Sequence, residues 1–160
     1  MNLSVEQIQV IRECARDEEA YEKILHALLN EPVPESRPQI LAVDDDEHMC
    51  SLIRFVLEAE GCEVAAVTSG TAALDHIRHK LFHIIFLDIN MPDIQGGEIL
   101  EKIRASSVNK DTAVVFITGL IKPEEENKLI PRREKYLGKP ITVEKLLAVT
   151  QEILGNIKKA

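Results

Sequence analysis

Four places in this sequence could do chemistry together: the acidic run Asp44-Asp45-Asp46, then Asp88, Thr118 and Lys139. Each follows or closes a short apolar run, and the runs are spread over almost a hundred residues. Asp44, Asp45 and Asp88 give three carboxylates, Thr118 a hydroxyl and Lys139 an ammonium. Crowded carboxylates repel, so a cation must offset them or a pKa must rise. A hard divalent cation such as Mg²⁺ suits all-oxygen ligands, and Lys139 adds a compact point charge. Such a set is built to receive a phosphoryl group, with Thr118 donating a hydrogen bond and one carboxylate attacking phosphorus. Taken singly, an acidic run is a solvated loop, a threonine at a strand end reflects β-propensity, and Lys-Pro is a turn. Those separate roles do not account for their joint occurrence at the ends of four different runs.

Those runs read as strands that alternate with helices. The expected strands are Gln39 to Val43, Glu63 to Val67, Phe82 to Asp88, Ala113 to Thr118 and Tyr136 to Gly138. The third has no clean alternation of apolar and polar residues, as in a strand buried on both faces. Helical periodicity fills the gaps: Met49 to Glu60 ended by Gly61, a helix capped by Ser69, and one carrying Ile99, Leu100 and Ile103. A short helix is expected from Pro123 to about Ile130. A last one, capped by Thr142, carries a stripe through Val143, Leu146, Leu147, Thr150, Ile153, Leu154 and Ile157. Five βα units with right-handed crossovers predict an α/β fold, a doubly wound five-stranded parallel sheet. In that fold the carboxyl ends of the strands converge at a topological switch point. Asp88, on the central strand between the acid pair and Lys139, is the best nucleophile.

Residues 1–30 read as a separate helical hairpin. Ser4 with Gln7 forms a capping box for a first helix, whose apolar face holds Ile8, Ile11 and Ala15, with Leu3 and Val10 at its edge. Asp17 caps a second, with a stripe of Tyr21, Ile24, Leu25, Leu28 and Leu29. Helices this short need a partner for those stripes, so dimerisation or docking is expected beside plain packing on the main domain. Residues 31–38 hold Pro32, Pro34 and Pro38 and read as an extended linker. The main domain is expected over 39–158.

Composition narrows the function classes. The formal net charge of −8 argues against direct binding to nucleic acid or an anionic membrane. The bias is steepest in residues 1–36, with eight acidic and three basic residues. Cys14, Cys50 and Cys62 have no ligand spacing and read as reduced cytoplasmic packing residues. Neither a signal peptide nor a membrane span is visible.

At this point the sequence resembles the receiver domain of bacterial two-component response regulators. The segments that carry the likeness are Ile40-Leu41-Ala42-Val43-Asp44-Asp45-Asp46, Leu87-Asp88-Ile89-Asn90-Met91-Pro92 with Gly96 downstream, Val115-Phe116-Ile117-Thr118-Gly119, and Tyr136-Leu137-Gly138-Lys139-Pro140. The resemblance implies a flavodoxin-like receiver fold in which Asp88 accepts phosphoryl from a phosphohistidine on a sensor histidine kinase, from a phosphotransfer protein or from acetyl phosphate. It implies that Asp44, Asp45, Asp88 and the backbone carbonyl of Asn90 hold Mg²⁺. Lys139 would contact the phosphoryl group, Thr118 would be pulled toward it, and Tyr136 would turn inward. The output would be a shift in the face of the fourth helix (Pro123 to about Ile130), the fifth strand and the last helix, read by a downstream protein. Asn90 and Leu120 flank the site, where such residues tune hydrolysis in the family. Enzymatic activity is expected only as self-phosphorylation and self-dephosphorylation.

The sequence departs from the family pattern in three places, of which His48, where a proline often occurs, carries no inference. Gly119 stands where alanine is usual. Leu129 to Lys135 replaces an Ala-Gly-rich approach to the fifth strand, and Pro131 should end the fourth helix early, leaving a basic face of Arg132, Arg133 and Lys135. The alternative function is a non-phosphorylated interaction module working through residues 1–30. A haloacid-dehalogenase-type phosphatase requires Asp-x-Asp followed by Thr or Val, which Glu47-His48 does not supply. A flavodoxin-like cofactor binder requires a Ser/Thr/Gly-rich phosphate loop where the acidic run stands.

Overall fold

The structure is a computed structural model, and it describes residues 9, 12, 13, 17–20, 22, 37–119 and 134–159. The chain divides into two compact units, Met1–Ser36 and Arg37–Ala160. In the first, Gln9, Arg12, Glu13, Glu18, Glu19, Ala20 and Glu22 are helical. Asp17 caps the second helical stretch, its Oδ1 accepting the Ala20 N–H at 2.8 Å. The Ser4 cap, both apolar stripes, Cys14, Pro32 and Pro34, Leu120, the helix expected before Pro131, and Arg132 and Arg133 of its basic face lie outside the described residues. Lys135, the third residue of that face, lies in the last strand, Glu134–Gly138, and pairs with Glu152.

The second unit is a parallel sheet of β1 (Gln39–Val43), β2 (Glu63–Val67), β3 (Ile84–Asp88), β4 (Ala113–Thr118) and β5 (Glu134–Gly138), in the order β2-β1-β3-β4-β5. Its described helices are α1 (Glu47–Ala59), α2 (Gly70–His79), α3 (Gly96–Ala105) and α4 (Val143–Lys159). This is the doubly wound flavodoxin-like order, with its switch point between β1 and β3. All five residues of β3 are buried.

Period-two alternation splits the core into two clusters. Ile40, Ala42, Ile84, Phe86, Val115, Ile117 and Leu137 face one way, onto Ile53 and Leu57 of α1 and Leu146 and Ile153 of α4. Leu41, Val43, Ile85, Leu87, Val114 and Phe116 face the other way, onto Ala73 and Ile77 of α2 and Ile99 and Ile103 of α3. Strand alternation alone thus decides which helix pair covers each residue.

Three boundaries differ from expectation. Helix α1 starts at Glu47 rather than Met49, because the Asp46 carboxylate caps it by accepting the His48 N–H at 2.9 Å. Strand β3 starts at Ile84 rather than Phe82, whose N–H goes instead to the Asn109 side chain at 2.9 Å. Strand β5 starts two residues earlier than expected, at Glu134. Gly61 ends α1 in the left-handed region at φ +84°. Ser69 caps α2 through the Ala72 N–H, and Thr142 caps α4 through the Lys145 N–H. The α4 stripe is buried only in its middle, since Val143 and Ile157 are exposed.

Candidate functional site

β1 and β3 are neighbours, so their carboxyl ends lie side by side at the switch point. Asp44 is the first residue past β1, and Asp88 is the last of β3. Both continue the alternation of the α1/α4 face: Ile40, Ala42, Asp44 on one strand and Ile84, Phe86, Asp88 on the other. Lys139 follows Leu137 and Gly138 at the end of β5, and its N–H donates to the Thr118 carbonyl at 2.8 Å, which extends the β4–β5 ladder by one bond. The Lys139–Pro140 peptide bond is cis. Thr118, buried at the end of β4, has the parity of Phe116 and so belongs to the opposite face.

These placements bring three carboxylates together. Asp44, Asp45 and Asp88 each offer an oxygen within 4.8 Å of the others. Asp44 is completely buried and Asp88 nearly so, while Asp45 is exposed. Asp46 belongs to the helix rather than the cluster; its side chain caps α1, and its own N–H goes to Asp44 Oδ1 at 2.9 Å. One acidic run therefore divides into a buried carboxylate, an exposed one and a cap.

Lys139 Nζ stands 3.1 Å from Asp44 Oδ2 and 3.7 Å from Asp88 Oδ2. That is ion-pair distance, and among the described residues no donor other than this ammonium reaches Asp44 Oδ2. Asp88 Oδ1 accepts a long contact from the Asn90 N–H, at 3.3 Å. Burial, and then the charge of Asp44, push the Asp88 carboxyl above the usual carboxylate range; the Asn90 N–H and Lys139 pull it back only in part. Burial works to lower Lys139, but Asp44, by contact and charge, with Asp88 and Asp45 outweighs it and raises the ammonium. Among the described residues the pocket thus holds more negative charge than Lys139 offsets. Three convergent carboxylate oxygens, with a buried Asp44 oxygen that has only the Lys139 ammonium for a partner among the described residues, fit a hard divalent cation with all-oxygen ligands.

Residues 40–151 match the family model of the response regulator receiver domain. The chain belongs to that family. It is 28% identical to the sensor protein GacS of Pseudomonas syringae pv. syringae over 83% of this chain, spanning 15% of GacS. It is 29% identical to the polar-differentiation response regulator DivK of Brucella ovis, over 73% of this chain and 96% of DivK. Among solved structures, the chemotaxis response regulator CheY4 of Vibrio cholerae is 29% identical, with a TM-score of 0.65 over 74% of this chain and 99% of CheY4. The receiver domain of the sensor histidine kinase PA1611 of Pseudomonas aeruginosa shares the fold at 21% identity, with a TM-score of 0.64 over 75% of this chain and 99% of that one. That structure has a magnesium ion coordinated in its active-site cleft.

The receiver face beyond the pocket is also partly visible. Tyr136 pairs with Phe116 in the β4–β5 register, and the two rings stack at 5.3 Å with 26° between planes. Tyr136 is half-buried and packs on the α2/α3 cluster, the side to which Thr118 also belongs. A Cβ on Gly119 would meet nothing within 4 Å, so the glycine leaves the end of β4 open.

Sequence reasoning missed Asp93. Its Oδ1 accepts the Gly70 N–H at 3.1 Å, and its Oδ2 accepts the Thr71 N–H at 3.0 Å and the Thr71 hydroxyl at 3.1 Å. Hydrogen bonds from the Thr71 and Gly70 N–H groups hold the Asp93 carboxyl at about 2. The partners are more than twenty residues away, so no local spacing announces the contact.

Proposed function

We propose that this receiver is a phosphoryl-accepting switch whose acceptor is Asp88. The observation that carries the reading is the unbalanced pocket: Asp44 and Asp88 buried side by side, with Lys139 within 3.7 Å of both and, among the described residues, no further donor on Asp44 Oδ2. Asp44, Asp45, Asp88 and the Asn90 carbonyl would hold Mg²⁺, which when bound supplies the positive charge that the crowded oxygens and an incoming phosphoryl group require. An Asp88 oxygen attacks phosphorus of a phosphohistidine. The P–O bond forms, the P–N bond breaks, and the imidazole leaves with the electron pair, giving an acyl phosphate on Asp88. Lys139 would turn from the carboxylates to the phosphoryl oxygens, and Thr118 would donate its hydroxyl to one of them. Movement of Thr118 would open space on its own face of the sheet for Tyr136, already stacked on Phe116 there. The only catalysis in this reading is the chain's own phosphorylation and dephosphorylation.

The phosphoryl donor would be a sensor histidine kinase or a phosphotransfer protein, and the reader of the altered face a downstream protein. Residues 1–30 would serve dimerisation or docking, joined through 31–38 to the receiver over 39–158. The separate unit Met1–Ser36 supports that division. A cytoplasmic location is consistent with the two buried free thiols, Cys50 and Cys62, and no described helix is long and apolar enough to cross a membrane.

Incubation with acetyl phosphate and Mg²⁺, followed by intact mass measurement, tests the reading. The wild type should gain one phosphoryl group and Asp88→Asn none. Equal gain in both, or none in the wild type from either acetyl phosphate or a phosphorylated kinase, would overturn it.

A further inference from the structure

The geometry points to Asp93 as a positioning residue for this site: its carboxylate clamps the loop after Asp88 to the first turn of α2, and so sets where the Asn90 carbonyl points. The inference rests on the reading of Asn90 as a metal ligand. The loop runs from Ile89 to Gln95, between β3 and α3. Its base is closed tightly. The Gly96 N–H donates to the Ile89 carbonyl at 3.0 Å, and a Cβ on Gly96 would stand 2.8 Å from the Asp88 carbonyl oxygen and 2.9 Å from Ile89 Cα. No other residue type can sit there without moving the acceptor strand.

Asn90, in contrast, has little holding it. It is exposed, and its N–H reaches Asp88 through the 3.3 Å contact. Its direction must come from what pins the chain on either side. On one side is the closed base at Ile89. On the other, Met91 is buried in the α2/α3 cluster, and Asp93 takes two backbone N–H groups and one hydroxyl of α2. Ile94 then packs on Gly70 so closely that a Cβ there would stand 2.8 Å from Ile94 Cβ. Those two N–H groups are among the four that a helix start leaves without partners, and a carboxylate suits them in both hydrogen bonding and dipole. Ser69 Oγ takes a third, from Ala72. The same helix end thus has two caps. Ser69 acts within α2; Asp93 reaches over from the acceptor loop.

That pairing gives the control. Wild type, Asp93→Ala, Asp93→Asn and Ser69→Ala are titrated with Mg²⁺ alone by isothermal calorimetry, and amide hydrogen exchange is followed at Asn90, Met91 and Asp93. Asp93→Ala should weaken Mg²⁺ binding about tenfold, the lower end for loss of a residue that orients a ligand. It should also speed exchange in the loop. Asp93→Asn should fall between, since its one carbonyl oxygen can still accept an N–H of α2. Ser69→Ala should leave both readouts at the wild-type level although it also uncaps α2. Wild-type Mg²⁺ affinity in Asp93→Ala would overturn the inference, and so would an equal loss in Ser69→Ala, because then only helix stability is at stake. If the wild type binds no Mg²⁺, the metal reading falls and exchange alone decides the clamp: faster in Asp93→Ala only supports it, and unchanged rates overturn it.

Discussion

The two ends of this sheet bury polar side chains to opposite effect. At the amino ends of the strands, Asn109 is fully buried and its side chain is fully engaged. It accepts the Phe82 N–H and donates to the carbonyls of Ile77 and Lys80, at 2.7 to 2.9 Å. The Thr112 hydroxyl lies between the Phe82 carbonyl and Asn109 Oδ1. Nearby, Arg104 meets Glu134 through Nε and Nη2 and also donates to the carbonyls of Lys110 and Thr112. One neutral oxygen there, Oε1 of the half-buried Gln39, has no donor among the described residues. At the carboxyl ends the underserved atom belongs to a fully buried carboxylate: Asp44 Oδ2 has only the Lys139 ammonium among the described residues, and that ammonium is shared with a second buried carboxylate. Satisfied polar groups hold elements in register; unsatisfied charges cost stability unless something binds them. The difference supports the proposal that the carboxyl ends serve a ligand and the amino ends the fold itself.

The largest test of that contrast is Asp88→Asn. It should abolish phosphoryl uptake, yet raise stability by about 1 kcal/mol in urea unfolding with chelator present. The gain should depend on pH. With Asp88 raised above 3.8 in the fold, the folded chain holds that proton more tightly than the unfolded chain. This share of wild-type stability is present below about 3.8 and lost as pH climbs through the raised value, so the advantage of the variant should widen across that window. A variant less stable than wild type at neutral pH would break the comparison.

Asn109→Ala tests the other end. Stranding the Phe82 N–H and two carbonyls in the interior should cost about 3 kcal/mol, read from the urea midpoint, with phosphoryl uptake by the folded fraction unchanged. Arg104→Met should cost somewhat less, about 2 kcal/mol, because Arg104 is partly exposed while Glu134 is left buried without its cation. Adding Glu134→Leu should restore most of that loss; no recovery would mean that the arginine acts through its carbonyl contacts. The smallest effect belongs to Asp93. Its carboxyl, held at about 2, contributes stability that is present above 3.8 and lost as pH falls toward 2. The acid limb of wild-type unfolding should flatten in Asp93→Asn.

Much of the fold and of the site is legible in the sequence. Apolar runs ending in Asp44, Asp88, Thr118 and Lys139 place the strands, and the alternation with helices brings those ends together. Burial on both faces leaves a parallel strand few alternative readings. Boundaries slip where a side chain replaces a local signal: Asp46 lengthens α1, and Asn109 takes the Phe82 N–H that a longer β3 would have used.

By itself the sequence determined the order of elements, the parallel sheet and the residue types at the carboxyl ends, because these follow from hydrophobic period, caps and loop chemistry read locally. Tertiary structure alone decided how the acidic run divides among pocket, surface and helix cap, that Asp44 and Asp88 share the Lys139 ammonium, and that Asp93 reaches α2. Those outcomes depend on register and on contacts between residues tens of positions apart, for which a linear pattern carries no local mark.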